Sequence, residues 1–415
     1  MSYSNGAQIE LTGMSFLLEE RLKPITGEMN SYPLKVSRTT WSRNTEIAKD
    51  HSTTLTDRCR NLVRDETFRP NSVADCAKYL FASRKALKFS RRTGRPITDK
   101  DTLIRIASEG CPLSAGIMEA RSALTKYGQL KAWRPFADMG RVQATWDSLG
   151  TPHGRYTSDG PCLNNRIPPI RETIEADPGY SFLSLDLGQA ELVSWASLSG
   201  DPELAKSFRE EKDFHLETAL SIKAAVPSWD LRDAELRDAG KTLNFAILYQ
   251  MKASTLASKL GCSLEIAERI ISAYYRRFPK ATAYIRAVLA EAKVTGYVQT
   301  YFGRRRFCPE YQTSSKEREV HEVEKTIWNH VNCGSAAELL KKKQILAWED
   351  LRKAGYGEND VRLVIQNYDE CIWLVRDSLL KEVQERIEAI WKTQEKDWIK
   401  FKVDVKSGKT WKECS

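Results

Sequence analysis

The sequence has no long apolar run and no closely paired cysteines. No stretch of its 415 residues approaches the roughly 18 apolar residues that a membrane-spanning helix needs. The first residues, MSYSNGAQIELTG, lack the basic-then-apolar pattern of a signal peptide, so we expect an intracellular protein without a membrane partner. The nine cysteines include no CxxC pair, which argues against a zinc site or a small disulfide scaffold and predicts reduced thiols.

The composition is that of a large globular protein. A hydrophobic fraction of 41% and this length provide for two or three domains. The 64 Lys and Arg against 55 Asp and Glu give a modest net charge of +9. A basic cluster is usually a solvated face, but several clusters with interleaved aromatic residues favour a phosphate backbone as partner. Such clusters occupy residues 83–95, 274–280, 302–307 and 341–343.

The periodicity of apolar residues predicts helices separated by short strands. Residues 1–15 look like a loose tail, and helical spacing dominates residues 14–126 and 206–334. Two hairpins are predicted, over residues 296–309 and 361–376, with a last helix over about 377–400. No internal repeat or low-complexity segment is present.

Two of the predicted strands end in carboxylates. The run YSFLSLDL carries Asp186 near its end, and the turn NYDE carries Asp369 and Glu370. Adjacent acids at a hairpin tip are usually ordinary turn residues. If the strands are neighbours in one sheet, however, Asp186 and Asp369 converge, and two carboxylates suit Mg²⁺ with water and substrate phosphate as further ligands. The pattern therefore gives a two-metal site as a hypothesis.

The predicted helix RDAGKTLNFAILY carries a cationic and then aromatic stripe. Arg237, Lys241, Phe245 and Tyr249 recur every four residues and so share one slowly drifting helix face. This order suits a nucleoside triphosphate, with its phosphates on the N-terminal cations and its base against the rings. The alternative is a surface helix whose cations extend to solvent and whose rings pack into the core.

The three segments together resemble the motifs of one polymerase family. LDLGQAEL is similar to motif A of the family A DNA polymerases (the bacterial DNA polymerase I class), RDAGKTLNFAILYQ to motif B, and NYDE to motif C. The motifs follow one another in the family's order, and flanking segments match as well. The resemblance extends from about Met14 to the end of the chain.

The resemblance implies a role for each matching residue. Asp186 and Asp369 would bind two Mg²⁺ ions, and Glu370 would be a supporting acid near the primer end. The residues implied to bind the dNTP are Arg237, Lys241, Phe245, Tyr249, Gln189, Glu191 and His215. The residues predicted to contact DNA are Arg155, Asn329, Arg304 and Arg305.

Some of these assignments carry a specific consequence or a simpler alternative. Glu191 would crowd the sugar 2′ position and exclude ribonucleotides, and Phe245 suggests discrimination against dideoxynucleotides. His215 is alternatively an ordinary residue at a helix start, and Arg155 alternatively braces a loop.

The resemblance also implies the architecture, an α+β right-hand polymerase fold with a helical thumb, an antiparallel-sheet palm and helical fingers. The expected divisions are a tail at 1–14, thumb at 15–126, palm at 127–205 and 335–415, and fingers at 206–334. Only about 13 residues precede the thumb, so we expect no proofreading or 5′-nuclease domain, as in phage-like members.

The expected partners are primed DNA and dNTPs, with replication accessory proteins as a further possibility. We expect a monomer in the cytoplasm of a bacterium or a phage-infected cell.

Several residues depart from the family pattern while the metal ligands and triphosphate cations are kept, so we expect activity with altered fidelity or template handling. The departures are Gly188, Val193, Ala246, Gln250, Lys325, Cys333 and Tyr368. Two rival interpretations are an RNA-synthesising or reverse-transcribing relative, and a catalytically weak or inactive nucleic-acid-binding accessory protein. Glu191 with Phe245 argues against the first rival, and the intact acids and cations argue against the second.

Overall fold

The computed structural model describes residues 7–82, 89–90, 93–164, 166–210 and 212–415. Within these ranges the chain combines helices with antiparallel strands, as the α+β prediction requires. Most of the basic cluster at residues 83–95 lies outside the described residues.

Helices form most of the described structure, and among the described residues none of them is long and apolar enough to cross a membrane. The first ten are α1 Gly13–Ser31, α2 Arg38–Val63, α3 Val73–Ala82, α4 Lys100–Ser108, α5 Pro112–Ala132, α6 Arg134–Met139, α7 Pro168–Thr173, α8 Ala190–Ser199, α9 Pro202–Arg209 and α10 Phe214–Ala225. The others are α11 Asp233–Leu248, α12 Ala253–Leu260, α13 Leu264–Arg277, α14 Pro279–Thr295, α15 Pro309–Thr313, α16 Glu317–Lys353 and α17 Leu380–Trp391.

The strands form small antiparallel sheets. They are β1 Gln8–Leu11, β2 Leu34–Val36, β3 Arg141–Val142, β4 Thr145–Asp147, β5 Thr157–Asp159, β6 Ile174–Glu175, β7 Tyr180–Leu187, β8 Tyr297–Gln299, β9 Arg304–Phe307, β10 Val361–Asn367, β11 Glu370–Arg376 and β12 Val403–Gly408. Their order is β10-β11-β7-β12 in the four-stranded sheet, β1-β9-β8 and β3-β2-β6 in the three-stranded sheets, and β4-β5 in the pair. Both predicted hairpins, β8–β9 and β10–β11, are confirmed.

The four-stranded sheet lies in the main hydrophobic core. Leu183, Leu185 and Leu187 alternate along β7 and are almost fully buried on one face. On the same face of β11, Cys371 contacts Gln344 of α16. The opposite face of β7 carries the buried Phe182 and Ser184 and then Asp186, which is only partly buried.

A second hydrophobic core lies within the region predicted as the thumb. Its buried side chains come from α2 to α5 and the segments between them, and none belongs to the main core. They are Cys59, Phe68, Cys76, Ala77, Leu80, Leu103, Ile106, Cys111, Ile117 and Ala120. Residues 59–120 therefore pack around their own centre.

Both ends of the chain differ from the sequence prediction. The prediction of a loose tail is wrong for β1, which pairs with β9 from Gln8 opposite Phe307 to Leu11 opposite Arg304. The predicted last helix ends early, at Trp391, where Lys343 Nζ donates to the carbonyl oxygens of Ile390 and Thr393. The chain then returns as β12, an unpredicted edge strand paired with β7.

A buried cluster of charges joins α1 to the β8–β9 hairpin and α16. Arg304 Nε donates to a Glu338 oxygen at 3.1 Å, and both Arg304 and Lys341 form ion pairs with Glu19. All four side chains are at most 5% exposed. Burial lowers the pKa of Lys341 to about 8 and raises the pKa of Glu338, because it disfavours the charged form of each side chain. The pairing of two acids with two cations offsets this desolvation penalty.

This cluster corrects one site prediction. The guanidinium of Arg304 is fully buried and engaged by two carboxylates, so it is not available to a DNA phosphate in this structure. Arg305, next in the strand, is half-exposed and pairs with Glu10 at 3.2 Å, so the predicted DNA contact at Arg305 stays a prediction.

Replacing Glu19 with Gln tests the cluster. The variant leaves the buried Lys341 without its carboxylate, and we expect a loss of roughly 3–5 kcal/mol in the free energy of unfolding, measured by urea denaturation. The matched control is Glu20→Gln, since Glu20 is 46% exposed and forms only a surface pair with Lys23, which predicts a near-neutral change. Equal effects of the two substitutions would contradict a supporting role for the buried cluster.

Candidate functional site

The sheet register brings the predicted carboxylates to one edge. Asp186 lies directly opposite Glu370 of β11 and opposite Asp404 of β12, and directly paired residues point to the same face. Asp369 is in the two-residue turn before Glu370, and its carbonyl oxygen accepts from Leu187 N at 3.2 Å. The sequence interpretation required the strands of Asp186 and Asp369 to be neighbours in one sheet. The structure shows that they are neighbours.

These carboxylates line a cavity of about 250 Å³. Burial raises the pKa of Asp186 to about 7, and repulsion from Asp369, Glu370 and Asp404 adds to the effect, while Lys406 opposes it. Burial also raises the pKa of Asp369. The other lining residues are Arg171, Ser184, Asn367, Lys406, Cys414 and Ser415.

The donor set fits a hard divalent cation. In the described part of the chain, no group of three or more His, Cys, Asp or Glu side chains is arranged to hold a metal ion. Asp186 and Asp369 line the cavity, and a cation held by two carboxylates would keep most coordination positions for water and substrate oxygens, an arrangement that Mg²⁺ tolerates well. A bound cation would also offset burial and the repulsion between the acids, which together keep the pKa of Asp186 high.

Glu370 is held by its neighbours. Ser184 Oγ donates to one carboxylate oxygen at 2.9 Å, and Asn367 Nδ2 donates to the other at 3.1 Å. Both oxygens are thus already engaged by the protein, which suits a supporting acid better than a primary ligand. Asn367 and Ser184, together with Asp404 and Lys406, are site residues that the sequence interpretation missed. The alternation VDVK at 403–406 was the available signal for the last two.

Backbone strain marks all three motif segments. Five non-glycine residues in the described ranges have a positive φ, and Gln189 (55°), Gln250 (49°) and Tyr368 (57°) are among them. Such conformations cost on the order of 1 kcal/mol each and are concentrated at functional sites. Glycine would adopt the positive φ of position 250 without this cost, so Gln250 is held there by its surroundings.

Glu191 connects several predicted site residues. Its carboxylate accepts hydrogen bonds from Arg155 and from the hydroxyl of Tyr249. The Arg155 guanidinium carbon lies 5.2 Å from the ring centroid of Tyr368, the residue before Asp369. Cys333 is buried against the same carboxylate, and burial raises the pKa of its thiol. Residues from five separate segments therefore meet beside the edge that carries the carboxylates.

The predicted cationic and aromatic stripe is present along α11 and its C-cap residue Tyr249. Arg237 and Lys241 are exposed, whereas the Phe245 and Tyr249 rings are half-buried and nearly parallel, with centroids 6.1 Å apart. His215 of α10 lies beside them, 5.9 Å from the Phe245 ring, with Nδ1 3.0 Å from Asn244 Nδ2. Burial lowers the pKa of His215, the charge of Asp213 opposes this shift, and the charges of Arg237 and Lys241 add to it.

Helices α10 and α11 pack at very close range. A Cβ placed on Gly240 would lie 1.9 Å from the His215 carbonyl oxygen, a backbone atom that cannot yield cheaply. Glycine at position 240 therefore allows the approach that puts His215 next to the α11 stripe.

The predicted template contact Asn329 lies on α16. Its side chain is half-buried, and its Oδ1 has no hydrogen-bond partner among the described residues.

The comparison with known proteins assigns the family. Residues 39–413 match the model of DNA polymerase family A, which is most of the chain. The chain belongs to the family A DNA polymerases. The resemblance found in the motifs is thereby confirmed.

Curated relatives of this family A member are bacterial. The thermostable DNA polymerase I of Thermus aquaticus is 33% identical over 319 residues, covering 74% of this chain and 36% of the relative. The DNA polymerase I of Pseudomonas aeruginosa is 30% identical over 333 residues, covering 78% of this chain and 36% of the relative. The chain thus spans about a third of the length of these relatives.

The fold agrees with the family. The solved POL domain of Pol1 from M. smegmatis, in complex with DNA primer-template and dNTP, has a TM-score of 0.84 to this polymerase-family chain. The match covers 95% of this chain and 70% of that one at 23% identity. The right-hand polymerase fold predicted from the motifs is therefore confirmed.

Asp186→Asn tests how much the charged Asp186 destabilises the folded protein in its buried position beside the other acids. The folded carboxyl loses its proton near pH 7 and the unfolded one near 3.8, so the wild type loses stability as pH rises from about 4 to 7. Three pKa units correspond to about 4 kcal/mol, which solvent screening reduces to on the order of 1–2 kcal/mol. We expect the variant to have the higher melting temperature at pH 8 in EDTA and no advantage at pH 4.

Asp350→Asn is the control for this pH series, because Asp350 is 41% exposed and pairs with Arg386 away from the cavity. A variant at position 186 that is no more stable than wild type at pH 8 would contradict the electrostatic account. Added Mg²⁺ should raise the melting temperature of the wild type more than that of Asp186→Asn.

Gly240→Ala tests the helix contact. Alanine normally favours a helix over glycine by about 0.5–1 kcal/mol, but here its Cβ would push α10 away, and we expect a net loss of roughly 1–3 kcal/mol. Gly128→Ala in α5 is the matched control, since a Cβ there meets nothing within 4 Å and should be neutral or stabilising. Thermal unfolding of both variants compares the signs, and a stabilised Gly240→Ala would contradict the close-approach argument.

Proposed function

We propose that this chain is a template-directed DNA polymerase that adds dNTPs to a primer 3′-hydroxyl. The supporting observation is that Asp186 and Asp369 lie at one sheet edge. The cationic and aromatic stripe of α11 lies near this edge, because Tyr249 at its end donates a hydrogen bond to Glu191. The family assignment and the named ligands of the M. smegmatis structure point in the same direction.

The proposed reaction is attack of the primer hydroxyl on the α-phosphate of the dNTP, with release of pyrophosphate. Asp186 and Asp369 would hold two Mg²⁺ ions, which when bound neutralise charge on the attacking and leaving oxygens. Glu370, fixed by Ser184 and Asn367, would orient groups near the primer end. Catalysis of this kind depends chiefly on positioning and charge neutralisation.

The stripe residues would hold the nucleotide. The exposed cations Arg237 and Lys241 would bind the triphosphate, assisted by the neighbouring His215, and the Phe245 and Tyr249 rings would pack against the sugar and base. Glu191 lies against Tyr249 and would exclude a 2′-hydroxyl. Gln189, in its left-handed conformation just before α8, would complete the nucleotide site.

DNA would contact the residues around this centre. Arg155, which lies over the Tyr368 ring beside Asp369, would reach the primer terminus, and Asn329 would face the template strand. We also propose the thumb, palm and finger divisions given above as the functional domains. Accessory proteins, the monomeric state and a cytoplasmic location stay predictions.

Primer extension tests the proposal directly. We expect the wild type with Mg²⁺ and dNTPs to extend a primed DNA template, while Asp186→Ala and Asp369→Ala lose at least about a thousandfold in rate because charge neutralisation at the reacting oxygens is lost. Asp350→Ala is the matched control and should retain activity, since Asp350 does not line the cavity.

The alternatives give different results in the same assay. Efficient extension with rNTPs would favour an RNA-synthesising enzyme and would contradict the role of Glu191 in sugar selection. A wild type that binds primed DNA without extending it would leave the accessory-protein interpretation standing.

A further inference from the structure

One carboxylate links both proposed triphosphate-binding helices. Asp213 is the N-cap of α10, where its Oδ1 accepts from His215 N at 3.0 Å and from Leu216 N at 3.1 Å. Its Oδ2 accepts from Arg237 Nε of α11 at 2.6 Å. We propose that Asp213 is a positioning residue that presents Arg237 and His215 together to the nucleotide phosphates, an inference that rests on the proposed polymerase function.

The way Arg237 is held leaves its phosphate-binding groups free. A guanidinium has five N–H donors in a planar fork, and Asp213 engages only the one on Nε. Among the described residues, neither terminal nitrogen of Arg237 has a protein acceptor, and the side chain is 58% exposed. Fixing Nε sets the plane of the group and aims both terminal nitrogens outward, the arrangement that bidentate phosphate binding uses.

The same carboxylate also fixes the start of α10. Capping satisfies two backbone N–H groups of the first turn and holds the turn that carries His215. The close contact at Gly240 prevents α10 from sliding along α11. A shift of Asp213 would therefore move both Arg237 and His215, although they belong to different helices.

Asp213 stays ionised at neutral pH. Burial acts to raise the pKa of this carboxyl, but the hydrogen bonds from Arg237 and from the two backbone N–H groups outweigh burial and lower it. A negative charge beside Arg237 also allows a contrary role, in which Asp213 competes with the incoming triphosphate. The two roles predict opposite changes in nucleotide affinity.

Asp213→Asn separates these roles. Asparagine keeps an oxygen that caps α10 but replaces the charged partner of Arg237, so we expect the KM for dNTPs to rise about tenfold with a smaller change in kcat. Asp201→Asn is the matched control. Asp201 caps α9 through bonds to Glu203 N and Leu204 N, and its other oxygen accepts from a backbone N–H of Ala281, not from an arginine. It should lower stability without changing KM.

A double-mutant cycle with Arg237→Ala identifies the path of the effect. If Asp213 acts through Arg237, most of the tenfold change disappears when Arg237 is already absent. An unchanged or lower KM in Asp213→Asn, or a full effect in the Arg237→Ala background, overturns the proposal.

Equilibrium binding of dATP to the same proteins, measured by calorimetry, separates positioning from catalysis. About tenfold weaker binding by Asp213→Asn supports the proposal even in a protein that does not extend primers, which would overturn only the polymerase function. Equal dATP affinities overturn the positioning role alone, and a wild type that binds no dATP overturns both.

Discussion

The pairing of β7 with β11 is the constraint on which the site depends. Asp186 and Glu370 are direct partners in this ladder, and the turn that carries Asp369 is tied to it by the bond to Leu187 N. A slip of one residue would move Asp186 to the opposite face. The slip is unfavourable because it would place the Asp186 carboxylate on the face where Leu183 and Leu185 are fully buried, and burying a charge among apolar side chains costs free energy. The register of this ladder therefore fixes where the carboxylates meet.

The chain buries carboxylates in two different ways, and the difference distinguishes structure from function. In the cluster around Arg304, two acids meet two cations, so removal of either sign leaves an unpaired charge. At the sheet edge, Asp186 is surrounded by three further acids and opposed by Lys406. An imbalance of this kind destabilises the folded protein and persists where a bound cation compensates it. This difference supports the proposal that the acids at the sheet edge form a site, whereas the paired acids around Arg304 stabilise the framework.

The sequence was informative where a pattern is local. The apolar run before Asp186, the hairpin with NYDE and the four-residue repeat on α11 each predicted an element that the structure contains. Arg304 could not be placed this way, because its carboxylate partner Glu19 is 285 residues distant in sequence and arginine is usually exposed. Strand β12 has only a short, half-polar alternation, which gives a weak signal at a sheet edge. Asp213 likewise has no local signal for its contact with Arg237, because that contact joins two different helices.

The proposed site has two halves, the sheet that carries the carboxylates and the pair of helices α10 and α11. The contacts within each half differ from the contacts between them in how easily they exchange. The carboxylates lie on a sheet fixed by hydrogen bonds and apolar burial, and α10 and α11 are fixed to each other by backbone approach at Gly240. The polar bridge between these halves is Glu191, which Arg155 and Tyr249 hold by hydrogen bonds, next to a strained Gln250. Hydrogen bonds exchange with substrate or water at small net free energy, whereas packed backbone does not. The hydrogen bonds of Glu191 are therefore easier to exchange than the contacts within the sheet or between α10 and α11.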